Sequence, residues 1–358
     1  MNCLGLLEIR RRRSLVRSLV RSLKRFSLVL VAFSTFVASA SFGTGEIYAD
    51  SPAPSQENSV EVFDDLNFEK GFRVVDGAKK LGFLRFPPRN NDASPDADAP
   101  VWVLAQHNSK YNLTKGAIQL DGSGSVACLT PGQRVALERD ERGELSLRLD
   151  VATNNEYATP RKLNEPWIHL LLVRDLPEDK RVRLCETKSL VFSCDARVNY
   201  WKRLMGPDEF DSNIHATQAS FYFVIGNYNP ESPDYQDYIW FGISFFDDRY
   251  KVQTQYVELD GDPRVIGTGK LIYRLGDQKT IDDLMNGVNP YSLSWTHVEI
   301  DIMKYANDML EAAQRRGIMT STTLDDLQLV HFNFGWETPG VYEASISLKN
   351  VHLRATPK

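Results

Sequence analysis

The sequence predicts an all-β protein, a two-sheet antiparallel β-sandwich (jelly roll) with one late amphipathic helix. Three observations lead to this fold class. Short runs with the alternation of strands recur along residues 60–358, turn residues such as Asp121-Gly122 and Pro131-Gly132 separate them, and only residues 302–316 carry a helical pattern. Because strands and helices do not alternate along the chain, an α/β barrel lacks support.

Residues 1–40 have the layout of a secretory signal peptide. A basic segment at residues 10–25 precedes an apolar run at residues 26–40 that contains Ala38-Ser39-Ala40. We therefore expect a secreted protein, extracellular or periplasmic, with no stable membrane span after cleavage. An uncleaved anchor is the alternative, but the run is shorter than the ~20 residues that a spanning helix needs. Residues 41–59 are polar and Pro-containing, which predicts a flexible linker before one β-sandwich domain at residues 60–358.

The charge of the chain argues against nucleic acid as a partner. The formal net charge is −5, and residues 1–40 carry an excess of basic over acidic residues. Residues 1–40 hold eight Lys/Arg and one acidic residue, so residues 41–358 have 34 basic and 46 acidic residues and a net charge of −12. Such a surface repels phosphate backbones. The sequence does not indicate an oligomeric state.

The cysteines allow one disulfide and argue against a zinc site. In an exported protein, Cys185 and Cys194 could close a small loop between adjacent strands. Neither a Cys-x-x-Cys pair nor a close Cys/His cluster occurs, so structural zinc is not expected.

Strand signals follow one another at the spacing of an all-β fold, and turn residues separate them. They lie at residues 60–63, 72–75, 83–86, 101–105, 117–120, 133–138, 145–151, 167–174, 190–198, 219–228, 238–250, 254–259, 270–275, 327–336 and 342–353. Residues 90–100 are nearly all Asn, Asp, Ser, Pro and Ala, which predicts an exposed insertion. The helix at residues 302–316 has Asp301 as its expected N-cap and Gly317 as its expected stop.

The segment at residues 238–250 has two faces of different chemistry. Alternation places Ile239, Phe241, Ile243 and Phe245 on one side, which predicts a core face. The opposite side mixes the rings of Tyr238 and Trp240 with small and polar residues, and this chemistry suits a surface that meets a sugar.

Several other strands carry polar or aromatic residues opposite an apolar face. Carbohydrate sites use aromatic rings to stack on sugar rings, and polar side chains to bond the hydroxyls around them. If these strands are neighbours in one sheet, their outward faces form one concave groove. The alternative is that the tryptophans belong to the core and the charges form structural ion pairs. The candidate ligand-binding residues are Trp167, His169, Asp195, Arg197, Tyr238, Trp240, His331, Asn333 and Glu337.

Metal and catalytic residues are less well indicated. Asp247 and Asp248 could ligate a structural calcium ion, and the alternative is a solvated or ion-paired turn. No other cofactor is expected. Residues 299–304 resemble the Glu-x-Asp-x-x-Glu motif of laminarinase-type glycoside hydrolases, but Lys304 replaces the last carboxylate, which the mechanism requires as its proton donor. Catalytic residues therefore stay unassigned.

Residues 166–171, 240–243, 246–250, 267–270 and 335–340 carry a resemblance to a known group of proteins. They resemble poorly characterised secreted β-sandwich proteins of polysaccharide-degrading bacteria, over most of residues 60–358. The resemblance implies a shared fold. Its likeness to galactose-binding and concanavalin-like jelly rolls implies sugar binding by analogy only, because fold does not determine function.

These observations predict a secreted carbohydrate-binding protein that engages polysaccharide or oligosaccharide through an aromatic and charged concave face. Two alternatives remain open from the sequence. One is a glycoside hydrolase or polysaccharide lyase on the same fold, which would release reducing ends or unsaturated sugars. The other is a structural interaction domain at the cell surface.

Overall fold

The structure is a computed structural model that describes residues 58–86, 99–252, 254–261 and 267–358. The expected leader at residues 1–40, nearly all of the expected linker at residues 41–59 and most of the insertion at residues 90–100 lie outside the described residues. These assignments, and the extent of the domain, stay predictions.

Two sheets account for most of the described chain. The strands are β1 Val60–Glu61, β2 Phe72–Asp76, β3 Lys79–Leu84, β4 Trp102–Ala105, β5 Ala117–Leu120, β6 Val126–Leu129, β7 Gln133–Arg139, β8 Leu145–Ala152, β9 Ile168–Asp175, β10 Val182–Arg183, β11 Thr187–Arg203, β12 Gln218–Asn227, β13 Tyr238–Asp247, β14 Tyr256–Leu259, β15 Leu271–Leu275, β16 Thr296–Asp301, β17 Leu327–Thr338 and β18 Tyr342–Pro357. The helices are α1 Gln278–Met285 and α2 Ala306–Gln314.

The strand order confirms the predicted two-sheet β-sandwich. The large sheet has the order β14-β15-β13-β12-β17-β9-β4-β2-β3, with β10 paired to β17. The small sheet has the order β16-β11-β18-β8-β7-β6-β5, with β1 paired to β18. Pairing is antiparallel except at β13/β15 and β2/β4, so the large sheet is mixed rather than purely antiparallel.

Aromatic side chains from both sheets interlock in the core between them. Phe192 on β11 lies 5.3, 5.1 and 5.2 Å from the ring centres of Phe221, Phe223 and Phe332 on the large sheet. Burying each such ring contributes roughly 1.5–3 kcal/mol. Trp336 also joins the sheets, since its indole N–H donates to the Leu149 carbonyl at 3.0 Å.

The alternation predicted for β13 is confirmed from Ile239 to Phe245, whereas Phe246, which it places on the opposite side, is also buried in the core. Ile239, Phe241, Ile243 and Phe245 are all at most 3% exposed and belong to the core. The intervening side chains of β13 therefore point to the outer face of the large sheet. This arrangement leaves one face of the strand available to a site.

The predicted late helix is confirmed with a different start. It opens as a 3₁₀ turn, Ile302–Tyr305, before α2, and the Asp301 carboxylate accepts the Met303 N–H as expected of a cap. Gly317 follows the helix in the left-handed conformation at φ 75°. The sequence missed α1, because its 8 residues are too few to show a sustained apolar period.

The disulfide suggested by the sequence does not form. Cys185 and Cys194 are free thiols. Cys194 is buried in the core on β11, whereas Cys185 lies in the 3₁₀ turn Leu184–Glu186. Cysteine spacing alone misled here, because a disulfide also requires that both side chains face each other.

Candidate functional site

The outer face of the large sheet carries a groove of ≈ 620 Å³. It lies over β15, β13, β12, β17 and β9, and segments beside them form its walls. Its lining residues are His107, Trp167, His169, Leu171, Val173, Gln218, Tyr222, Trp240, Arg249, Tyr256, Asp260, Thr268, Ile272, Arg274, His331, Asn333 and Glu337. The volume falls within the range of about 300–1,000 Å³ that is usual for small-ligand sites.

Most of the candidate ligand-binding residues meet in this groove. Trp167, His169, Trp240, His331, Asn333 and Glu337 all line it. Tyr238 lies beside Trp240, with ring centres 5.7 Å apart, but outside the lining set. The structure therefore brings together side chains from β9, β13 and β17, together with Trp167, which directly precedes β9. That they contact a ligand stays a prediction.

Strand register arranges the outward side chains in rows across the large sheet. In the end row, Gln218 on β12 lies opposite Glu337 on β17, and Glu337 lies opposite His169 on β9. The Gln218 amide donates to the Glu337 carboxylate at 3.1 Å. Burial raises the pKa of Glu337, and the Gln218 hydrogen bond opposes this rise. Glu337 is thereby a candidate proton donor as well as a hydrogen-bond acceptor.

His169 is held neutral in the same row. Its Nδ1 donates to the Trp167 carbonyl at 3.0 Å, so Nε2 carries the lone pair. Burial lowers the pKa of His169 to about 4. The ring stacks on the Trp167 indole, with centres 5.5 Å apart, and its edge meets His107 at 5.4 Å.

The middle row crosses the centre of the groove. It runs from Arg274 on β15 through Gly242 on β13 and Tyr222 on β12 to Asn333 on β17. Burial raises the pKa of Tyr222 to about 12, and the neighbouring Arg274 guanidinium opposes this rise. Tyr222 therefore stays a neutral phenol that can donate and accept hydrogen bonds.

Small side chains form the floor between the end and middle rows. Ser244, Ser220 and Gly335 are cross-strand neighbours there. Gly335 has φ 153°, and an added Cβ would lie 2.2 Å from the Leu170 carbonyl oxygen, so glycine is required at this close approach. The Ser244 hydroxyl is buried without a hydrogen-bond partner among the described residues.

The third row contains a half-buried aromatic side chain of the groove, Trp240. Trp240 lies between Ile272 and Val224, and Val224 lies opposite His331. The Trp240 indole N–H donates to Thr268 at 3.3 Å, which orients the ring. Its edge contacts are 6.1 Å to Tyr222 and 5.9 Å to His331, measured between ring centres.

A chain of hydrogen bonds supports the polar side of this row. The His331 ring nitrogen Nδ1 lies 2.7 Å from the Asp175 carboxylate, and the Asn333 amide donates to Nε2 at 3.1 Å. This order fixes His331 with its proton on Nδ1. One N–H of Asn333 and its carbonyl stay available to the groove.

The expectation that Asp195 and Arg197 share the groove is wrong. Both lie on β11, which belongs to the small sheet, and they face its outer side. Asp195 lies 2.8 Å from the His297 ring nitrogen and accepts the Asn350 amide at 2.8 Å. Arg197 lies over the Trp295 ring at 4.7 Å. Long-range pairing assigned their strand to the other sheet, which local alternation does not reveal.

Asp247 and Asp248 are already engaged by other side chains. Asp247 forms an ion pair with Arg249 at 2.6 Å, and Asp248 forms one with Arg203 at 3.2 Å and accepts the Tyr342 hydroxyl at 3.0 Å. No group of three or more His, Cys, Asp or Glu residues that could hold a metal occurs in the described part of the chain. The calcium assignment stays an untested prediction.

Sequence reasoning missed several lining residues. Tyr222 and Arg274 lie at outward positions of strands that the sequence predicted, but nothing local showed that β12 lies between β13 and β17 or that β15 borders β13. Asp260 is also in the groove, where its carboxylate accepts the Thr268 N–H and hydroxyl at 2.9 and 2.8 Å. Alternation along each strand indicates that Tyr222 and Arg274 point outward. Only the strand order of the large sheet shows that both residues lie in the groove.

No described helix combines the length and apolar character needed to cross a bilayer. No family model matches the chain. No curated protein matches it either.

Among solved structures, the chain is similar, with low scores, to a xyloglucanase, an endoglucanase and a xylanase. A family 12 xyloglucanase from Bacillus licheniformis has a TM-score of 0.37 and 7% identity, over 67% of this chain and 97% of that one. An endoglucanase from Rhodothermus marinus has a TM-score of 0.34 and 11% identity, over 68% and 97%. A family 11 xylanase from Neocallimastix patriciarum has a TM-score of 0.32 and 9% identity, over 67% and 99%.

Proposed function

We propose that this protein binds carbohydrate, as polysaccharide or oligosaccharide, in the groove on the outer face of the large sheet. One observation carries the proposal. Aromatic rings and hydrogen-bonding side chains, both neutral and charged, from five strands and their flanking segments line one groove of ≈ 620 Å³. The signal-peptide pattern of the sequence at residues 1–40 further supports a role outside the cytoplasm.

The chemistry of the groove suits sugars better than apolar ligands. The exposed parts of Trp240 and Tyr256 offer ring surfaces for the C–H faces of a pyranose. Gln218, Asn333 and His331 offer donors and acceptors to its hydroxyl groups. Because these polar groups sit on strands and not on loops, their spacing is set by the sheet.

Affinity electrophoresis tests the proposal. We expect the purified protein to be retarded in gels that contain at least one glycan of a broad panel, and Trp240→Ala to weaken that binding by about tenfold because it removes a stacking surface. Trp295→Ala is the matched control, since Trp295 packs against Arg197 and Lys349 on the small sheet. Absence of retardation across the panel would argue against carbohydrate binding.

A hydrolase or lyase on the same groove is the second candidate. Glu337 favours it, because a carboxyl group whose pKa is raised by burial can act as a general acid. The Asp260 carboxylate lies in the same groove and adds to the raised pKa of Glu337. Release of reducing ends, or of unsaturated sugars seen by absorbance, from a glycan that binds would establish an enzyme. If Glu337→Gln abolishes that release and retains binding, Glu337 has the acid role.

A further inference from the structure

The middle row of the groove contains a cation, the Arg274 guanidinium. No carboxylate forms an ion pair with Arg274 within the described residues, and its Nε is buried without a hydrogen-bond partner. The guanidinium lies beside Tyr222 and over the Tyr256 ring, 5.4 Å from the ring centre. A guanidinium group is always charged and presents five N–H donors, so Arg274 has unused donor capacity toward the groove.

Gly242 holds this arrangement in place. A Cβ at residue 242 would lie 2.4 Å from the Tyr222 ring and 3.3 Å from Arg274 Cγ. Both side chains therefore lie over the glycine and approach each other across β13. A side chain at this position would push at least one of them away.

None of the other charged groups of the groove forms an ion pair with Arg274 within the described residues. Arg249 is engaged by Asp247 at 2.6 Å, and Asp260 is bound to Thr268. Glu337 and Arg274 form no ion pair among the described residues, although the positive charge of Arg274 lowers the pKa of Glu337. The raised pKa of Glu337 also favours its neutral form.

We propose that Arg274, together with Tyr222 and Asn333 in the same row, forms a subsite for the anionic group of an acidic sugar, either a uronate carboxylate or a sulfate ester. This inference rests on the proposed carbohydrate-binding function. Guanidinium groups bind carboxylate and sulfate oxygens through paired N–H donors, and the Tyr222 hydroxyl and the free Asn333 N–H can add to them. The net negative charge of the chain acts weakly on this subsite, because charges beyond about 8 Å are screened at physiological salt.

The test compares charged glycans with their neutral counterparts. Affinity gels would contain polygalacturonate, alginate or a sulfated galactan, each beside its carboxyl-reduced or desulfated form. We expect at least one charged polymer to retard the protein more than its neutral form does. Comparison of the uronate gels with the sulfate gel shows which anion the protein prefers. Arg274→Gln should weaken that binding by about tenfold or more, because a charge-assisted hydrogen bond contributes roughly 1.5–3 kcal/mol. Arg274→Lys should recover part of the loss.

Controls separate this inference from the proposed function. Arg197→Gln removes an arginine from the outer face of the small sheet and should bind as the wild type does, and thermal denaturation checks that each variant folds. Equal retardation by charged and neutral forms, or wild-type binding by folded Arg274→Gln, would overturn the anionic subsite and leave carbohydrate binding intact. Retardation by no polymer, charged or neutral, would overturn both.

Discussion

The outer faces of the two sheets carry similar polar residues in different arrangements. On the small sheet, Asp150 accepts hydrogen bonds from Arg148 at 2.8 Å and Ser345 at 2.6 Å, and Arg134 lies 3.4 Å away. On the large sheet, Arg274 and Ser244 retain buried polar atoms without partners in the described part of the chain. The polar groups on the small sheet bind each other, whereas in the groove some polar atoms have no protein partner among the described residues and can bind a ligand.

The largest effect on stability is expected on the small sheet. Asp150→Ala leaves Arg148, Arg134 and Ser345 without their shared acceptor, and Asp150 is only 8% exposed. We expect a loss of about 2 kcal/mol in the free energy of unfolding, because hydrogen bonds to a charged group contribute roughly 1.5–3 kcal/mol while both arginines keep Glu138 as a second partner. Urea denaturation measures it. A loss below about 0.5 kcal/mol would mean that the network does not bear on stability.

An acid-dependent loss of stability is expected from the groove. The folded protein keeps His169 neutral down to its pKa of about 4, whereas the unfolded chain protonates near 6.5. Between these values the unfolded state binds more protons, so stability falls as the pH falls. His169→Asn should lose less stability than the wild type between pH 6.5 and 4. Parallel curves of melting temperature against pH for the two proteins would contradict the buried, neutral assignment.

Glu337 should act with the opposite sign and a smaller effect. Its folded pKa is raised above 4.5, so at higher pH the folded state retains a proton that the unfolded state has released. Stability from this group is present below 4.5 and is lost as the pH rises through the folded value. Glu337→Gln should therefore gain stability relative to the wild type as the pH increases above 4.5. Urea titrations at several pH values check this, and a constant difference would exclude a raised pKa.

Asp195 should show the smallest effect. Its partners, His297 and Asn350, lie at the exposed side of the small sheet, where ion pairs contribute about 0–1 kcal/mol. Asp195→Asn should change stability by no more than that and should leave glycan binding unchanged. If this folded variant bound glycan more weakly, the ligand would lie on the outer face of the small sheet, and the proposed difference between the two sheets would be wrong.

The sequence predicted which face of a strand each side chain occupies, but it did not predict which strands are neighbours in a sheet. Alternation correctly separated Phe241 from Trp240, and six of the nine proposed ligand residues line one groove. The same local pattern placed Asp195 and Arg197 with them, because period-2 alternation is identical in every half-buried strand. Pairing of β11 with β16 and β18, across about a hundred residues or more, decides their sheet. Arg274 and Tyr222 were missed for the same reason, since their contact depends on the order of three strands.

One measurement tests the central claim, that a ligand occupies the large sheet's outer face. The protein has six tryptophans, so labelling with 5-fluorotryptophan gives one ¹⁹F resonance for each, assigned by substitution. Trp167 and Trp240 report on the groove, Trp295 reports on the small sheet, and buried Trp102 and Trp336 serve as references. On titration with a retarding glycan, we predict that the Trp167 and Trp240 resonances shift and that the Trp295 resonance does not. A shift of Trp295 with Trp167 and Trp240 unchanged would contradict the account.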